Sequence, residues 1–221
     1  ARATDRDGAT GPVSDGLLVN ILVVEPQGQN VVIGGTVHAD VFALTLGADP
    51  GTLSVQVGGD SYGQFSVGTT GSIQILGDGS ADTLTLNGTS RNDQFQFDVA
   101  AERIMVGQVS CDFSQAGIGQ ISLDGSTNTD TITLILTSSA DAIDLSEAGG
   151  TILGALGYAI NLSNLEDITI DGNGGADTAI LRDTASNDRF TANADQASHR
   201  AIGYEQVLKN FPSVTAYGGT G

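Results

Sequence analysis

The sequence predicts an all-β chain wound as a right-handed parallel β-solenoid (β-helix), with about four units of ~47 residues and two coils in each. Three observations carry this expectation. Asp-Thr pairs begin at Asp82, Asp130 and Asp177, steps of 48 and 47 residues, and each follows an acidic turn of small residues such as Asp171-Gly172-Asn173-Gly174-Gly175-Ala176. A period of this size marks a repeat architecture. Apolar residues alternate in short runs that hold the same register: Ile73, Ile121, Ile168 and Val214 recur at intervals of 48, 47 and 46. Period-two alternation is the pattern of a strand with one buried face. Finally, 31 glycines and scattered β-branched residues leave no long stretch with apolar residues at helical spacing. A β-sandwich also has short strands at even intervals, but nothing in a sandwich requires one sequence to recur at a fixed interval. The crossover rule makes a parallel coil right-handed.

Residues 1–15 are polar and read as a flexible arm; residues 16–221 form one solenoid domain. Leu17–Val24 is a strand suited to capping an open stack. The units run approximately over 27–76, 77–123, 124–170 and 171–217, with 218–221 opening a further copy, as in a fragment of a longer polypeptide. Each unit has four expected strands. The Asp-Thr strands come first, with Asn30–Ile33 in that place in the first unit. The second strands begin at Asp40, Asp93, Asp141 and Asp188 and point Phe42, Phe95, Ile143 and Phe190 inward. Third strands fall at 53–57, 103–106, 151–153 and 199–202, and closing strands at 72–75, 120–123, 167–170 and 213–216. Asn161–Glu166 and Glu205–Asn210 are each expected to form one helical turn. Eight coils would stack to roughly 35–40 Å at ~4.8 Å per coil.

There are 26 acidic and 8 basic side chains, a formal charge of −18. Nucleic acid is excluded, because neutralising phosphates requires clustered Lys and Arg. The charge suits a cation-binding surface or an acidic shell facing solvent. Cys111 is the single cysteine, so no intrachain disulfide forms, and a small buried apolar role is expected for it. Leu17–Val24 is too short to span a bilayer and contains Asn20.

Three sets of residues could carry chemistry. Calcium takes six to eight oxygens, and the acidic turns offer Asp78 and Asp82, then Asp124, Asn128 and Asp130, then Asp171, Asn173 and Asp177. The competing reading is that Asp and Asn are good turn formers which bond nearby backbone amides. Arg182, Arg189, His199 and Arg200 could share a face in the last unit, as a lyase would need, against a reading as plain surface charge. Thr83, Thr131 and Thr178, with Thr85 and Thr133, could form ligand-binding ranks or be ordinary strand residues.

Gly172-Asn173-Gly174-Gly175-Ala176-Asp177-Thr178-Ala179-Ile180, with its counterparts at 77–85 and 125–133, resembles the glycine-rich nonapeptide of RTX (hemolysin-type calcium-binding) repeats and their parallel β-helix relatives in large bacterial secreted and surface proteins. In that family the nonapeptides run in tandem and calcium sits between consecutive turns; here they recur singly. The resemblance implies calcium (Ca2+) as ligand and an extracellular or cell-surface location. The expected role is a non-catalytic structural or adhesive segment, meeting other domains of its chain, surface glycans or other cells, and able to oligomerise through open solenoid ends. The alternative is a carbohydrate-active β-helix enzyme, a polysaccharide lyase or hydrolase.

Overall fold

The computed structural model describes residues 23–68, 71–77, 80–147, 149–154, 157–184 and 187–218. The arm at 1–15, all of Leu17–Val24 before Val23, and the turn residue Asp78 lie outside the described residues, as do 219–221.

All regular structure among the described residues is β-strand. A hairpin of β1 (Val24–Gln27) and β2 (Asn30–Gly34) opens the stack. The first unit continues with β3 (Val41–Leu46), β4 (Thr52–Val57), β5 (Asp60–Ser66) and β6 (Ser72–Leu76). The second contains β7 (Asp82–Asn87), β8 (Gln94–Asp98), β9 (Arg103–Val106), β10 (Val109–Gln115) and β11 (Ile118–Asp124). In the third come β12 (Thr131–Ile135), β13 (Asp141–Ser146), β14 (Gly149–Gly154), β15 (Ala159–Ser163) and β16 (Asp167–Asp171). The fourth holds β17 (Thr178–Arg182), β18 (Arg189–Ala192), β19 (Gln196–Ala201), β20 (Tyr204–Lys209) and β21 (Ser213–Tyr217).

The all-β solenoid is as expected, but each unit has five strands instead of four. The added strand is β5, β10, β15 or β20, antiparallel to the one before it. Strands two to four of each unit therefore form a three-stranded meander. Asn161–Glu166 and Glu205–Asn210 are not helical turns. Ile160 and Leu162, and likewise Tyr204, Gln206 and Leu208, alternate inward along β15 and β20, and burial at a period of two decides the conformation.

The strands form two sheets that share one core. The eleven-stranded sheet has the order β1-β2-β6-β10-β9-β8-β12-β16-β20-β19-β18, and the ten-stranded sheet β21-β17-β13-β14-β15-β11-β7-β3-β4-β5. Pairing is parallel between successive coils, as in β7 with β11 and β12 with β16, and antiparallel inside the meanders. A unit visits the sheets three times: one meander and two single strands. Three is odd, so equivalent strands of neighbouring units fall in opposite sheets. The first strands β2 and β12 belong to the eleven-stranded sheet, β7 and β17 to the ten-stranded one.

Apolar ladders do form, between strands that are not sequence equivalents. Leu84 stands between Phe42 and Ile121, and Ile132 between Phe95 and Ile168. All six are buried, each contributing roughly 1.5–3 kcal/mol. Phe97 and Phe113 meet edge to face, with centroids 5.9 Å apart. Phe190, expected inside, is 42% exposed, because β18 is the last strand of its sheet and has no further coil above it.

Candidate functional site

The turns joining the two sheets are built on paired aspartates. Asp82, Asp130 and Asp177 are buried, and Oδ1 of each accepts the backbone N–H of a second-strand aspartate one row away: Asp40 at 2.8 Å, Asp93 at 2.6 Å and Asp141 at 2.8 Å. The second aspartates fold their own turns. Asp93 Oδ2 accepts from Thr89 N and Oγ1 at 2.6 and 3.0 Å, and Asp188 Oδ2 from Thr184 N and Oγ1 at 3.1 and 3.0 Å. Thr36 with Asp40, and Thr137 with Asp141, repeat the contact. A Thr-x-x-x-Asp motif thus recurs in every unit. Sequence reading missed it, although the spacing is constant and visible.

The residues expected to bind calcium are mostly engaged as turn formers. Asp124 Oδ1 accepts from Ser126 N and Asn164 Nδ2, both at 2.8 Å. Asp171 Oδ1 accepts from Asn173 N at 3.0 Å and Asn210 Nδ2 at 2.7 Å. Asn128 and Asn173 adopt left-handed φ values of 83° and 55°, and their amides donate to the carbonyls of Ser90 and Leu136 across the row. One oxygen in each turn, Oδ2 of Asp82, Asp130 or Asp177, is buried without a partner. Calcium takes six to eight oxygens, so an ion in a turn would need this oxygen together with carboxylate, amide, backbone carbonyl or water oxygens around it. Crowding is severe as well. A Cβ on Gly125 would meet the Asn164 carbonyl and lie 2.7 Å from Asp130 Oδ2. Among the described residues, each acidic turn thus presents one buried, unpartnered oxygen in close-packed surroundings.

Burial, which disfavours the charged form, pushes the Asp130 carboxyl up to about 6; the hydrogen bond from Asp93 N–H opposes the rise, and the carboxylates of Asp93, Glu166 and Asp124 add to it. Asp177 is raised mainly by the same desolvation.

The last unit departs from the others. Across its meander, Phe190, His199 and Gln206 stand in register, where the third unit has Ile143, Ile152 and Ile160. His199 and Gln206 are nonetheless buried. Asp183 lies five residues before Asp188, a place held by Gly35, Gly88 and Leu136 in the other units. His199 Nε2 is 4.0 Å from Asp183 Oδ1 and 3.8 Å from Asp188 Oδ1. Tyr204 donates to Asp188 Oδ1 at 3.1 Å and lies 3.3 Å from His199 Nε2. Burial raises the Asp188 carboxyl, but hydrogen bonds involving Asp183, Thr184 and Tyr204 outweigh it and hold the group down to about 2. A small cavity of about 100 Å³ opens beside Asp183, Asp188 and His199, walled by Leu181, Phe190 and Tyr217. Polar residues at positions that are apolar or glycine in every other unit are a signal an internal alignment could have found.

The other expected groupings do not assemble. Arg182 is engaged by both oxygens of Asp144 at 2.6 Å and lies over the Tyr217 ring. Arg189 and Arg200 are exposed register partners, while His199, adjacent to Arg200 on its strand, faces inward. The threonine rank is absent because the sheets alternate: Thr83 is flanked by Val41 and Gln120, Thr131 by Gln94 and Asp167. Cys111 is buried, and burial followed by the Asp112 charge pushes its thiol up to about 12, consistent with an apolar role. A groove of about 440 Å³ runs past Leu46, Pro50, Leu53, Arg91, Val106 and Val109. Its one carboxylate, Asp93, is already bonded to Thr89. Among the described residues no helix is long and apolar enough to cross a membrane. No protein-family model matches the chain, and no curated protein matches it.

Proposed function

We propose that this chain is a non-catalytic structural or adhesive repeat segment of a bacterial extracellular or cell-surface protein, akin to the RTX-like repeats its glycine-rich turns resemble. The observation that carries the reading is the single apolar core, which runs without a break from Val24 to Leu208 between the two sheets. Such a body is extended by adding units, each resting only on its neighbours. Five strands shared between two sheets lengthen the stack by about 12 Å per unit at ~4.8 Å per row. The acidic exterior, at −18 overall, keeps like segments apart, and the open ends offer strand edges to flanking domains. Surface glycans and neighbouring cells are the partners such a spacer would present itself to.

The test joins shape to chemistry. Duplicating residues 124–170 in tandem should give a folded protein whose maximum dimension, by small-angle scattering, grows by about 12 Å. The chain should release no products from a panel of acidic and neutral polysaccharides. Turnover abolished by Asp93→Asn would establish the carbohydrate-active alternative and end the structural reading. Calcium in the acidic turns, as the resemblance implies, should raise the melting temperature, with the rise reversed by chelator; absence of a shift would remove the metal from the reading.

A further inference from the structure

We propose that His199, Asp183 and Asp188 form a binding site for one divalent transition-metal ion of the zinc class, with Tyr204 and Gln206 positioning the ligands. The site goes beyond the structural role above, since a spacer needs no such group.

The orientation of His199 is the first argument. Gln206 Nε2 donates to the Ser146 carbonyl, and a carbonyl can only accept. The amide oxygen of Gln206 is therefore the atom that faces His199 Nδ1, at 3.4 Å, so Nδ1 carries the proton. The lone pair is left on Nε2, which points at Oδ1 of Asp183 and Oδ1 of Asp188. Three electron-rich atoms converge there, all within 4.8 Å of one another. At 3.8 and 4.0 Å the histidine and carboxylate atoms are too far apart to bond directly, and an approach of about half an ångström would bring them to the spacing of tetrahedral ligands with bonds of about 2.0–2.2 Å. A second group that fixes the tautomer of a ligating histidine is the usual outer support of a metal site.

The second argument comes from the repeat itself. Val57, Val106 and Ile152 occupy the place of His199 in the other meanders, at register with Phe42, Phe95 and Ile143. These packed rows show that the fold needs no polar group there. Burying a histidine and a glutamine in such a row costs free energy unless they are used. Tyr204 has a counterpart in Tyr158, which donates to Asp141 at 2.9 Å; only the fourth unit adds the histidine and the extra aspartate.

Imidazole nitrogen with two carboxylates selects zinc-class ions over calcium, which takes oxygen ligands. Three protein ligands leave one position of a tetrahedral ion for water, and the adjoining cavity of about 100 Å³ has room for it.

The experiment titrates the whole 221-residue chain with zinc by calorimetry and with cobalt by visible absorption. One equivalent should bind. His199→Val and Asp183→Gly restore residues found at the same places in other units; both should stay folded and bind at least tenfold more weakly, with the cobalt band lost. His38→Gln should bind as the wild type does. In the wild-type chain, the imidazole nitrogen resonances of His199 should move on adding zinc while those of His38 stay, a readout independent of any variant. Absence of saturable zinc binding up to on the order of 1 mM, unchanged binding in both restoring variants, or a His199 signal indifferent to zinc would each overturn the proposal.

Discussion

Replacing Asp130 by Asn should stabilise the protein at neutral pH, and the gain should vanish in mild acid. Asp130 is fully buried. Its Oδ1 accepts from Asp93 N, its own N–H donates to Glu166 Oε2 at 2.8 Å, and Oδ2 has no partner. With the folded carboxyl at about 6 and the unfolded one near 3.9, the folded state holds the proton more tightly. Stability from this group is therefore complete below pH ~4 and declines as pH rises through ~6. The full shift corresponds to at most ~3 kcal/mol; 1–3 kcal/mol is the working range, since the carboxylates of Asp93, Glu166 and Asp124 ionise across the same interval. An asparagine keeps the acceptor for Asp93 N–H and turns an uncharged Nδ2 toward the space beside the Asn164 carbonyl. Thermal melts at pH 4, 5, 6 and 7 measure the effect. At pH 7 the variant should melt several degrees higher, at about 2–4 °C per kcal/mol for a chain of this size; at pH 4 the two curves should nearly coincide. A variant less stable than wild type at pH 7, or a difference that does not change with pH, would refute the account of an ionised, unpartnered oxygen.

Two other substitutions test the packing. Gly125→Ala drives a methyl group against the Asn164 carbonyl and Asp130, backbone that cannot swing away, so denaturant melts should show a loss of about 1–3 kcal/mol or more. Phe97→Ala removes a fully buried ring and its edge contact with Phe113; it should cost about 3–5 kcal/mol, with hydrogen exchange rising first in β8 and its sheet neighbours β9 and β12, because solenoid rows support only their neighbours.

The fold was legible where local pattern and burial agree. The register of Ile73, Ile121 and Ile168 identified a repeat, and all three are core residues. The fourth strand was less legible in two units: β5 is exposed along nearly all its length, and β20 buries Gln206 where an apolar residue is expected. Turn chemistry at Asp171 and Asn173 is legible because Asx turns are local and depend on few residues. The His199 cluster was not legible as a site. Asp183 follows the end of β17 and His199 lies sixteen positions later on β19, so only the folded chain brings them together. Arg182, Arg189 and Arg200 drew attention by their charge, yet strand alternation sends Arg200 and His199 to opposite faces.

The alternation of sheets sets the arrangement of these glycine-rich acidic turns apart from that of tandem nonapeptides. A shared ion between consecutive turns requires those turns to be stacked on one edge. Here each unit makes three sheet visits, so the turn before β12 leaves the ten-stranded sheet while those before β7 and β17 leave the eleven-stranded one. Successive acidic turns therefore occupy opposite edges and cannot share ligands. The neighbour of each turn is instead the Thr-x-x-x-Asp loop of the preceding unit, and the pairs are Asp82 with Asp40, Asp130 with Asp93 and Asp177 with Asp141. An aspartate oxygen that accepts a backbone N–H holds two rows together without a cation. Its second oxygen then lies beside a glycine, Gly77, Gly125 or Gly172; in the fourth unit a different position, held elsewhere by Gly35, Gly88 and Leu136, has become an aspartate, Asp183. Only the fourth unit carries a carboxylate at that place, and it is the further ligand of the metal site proposed there.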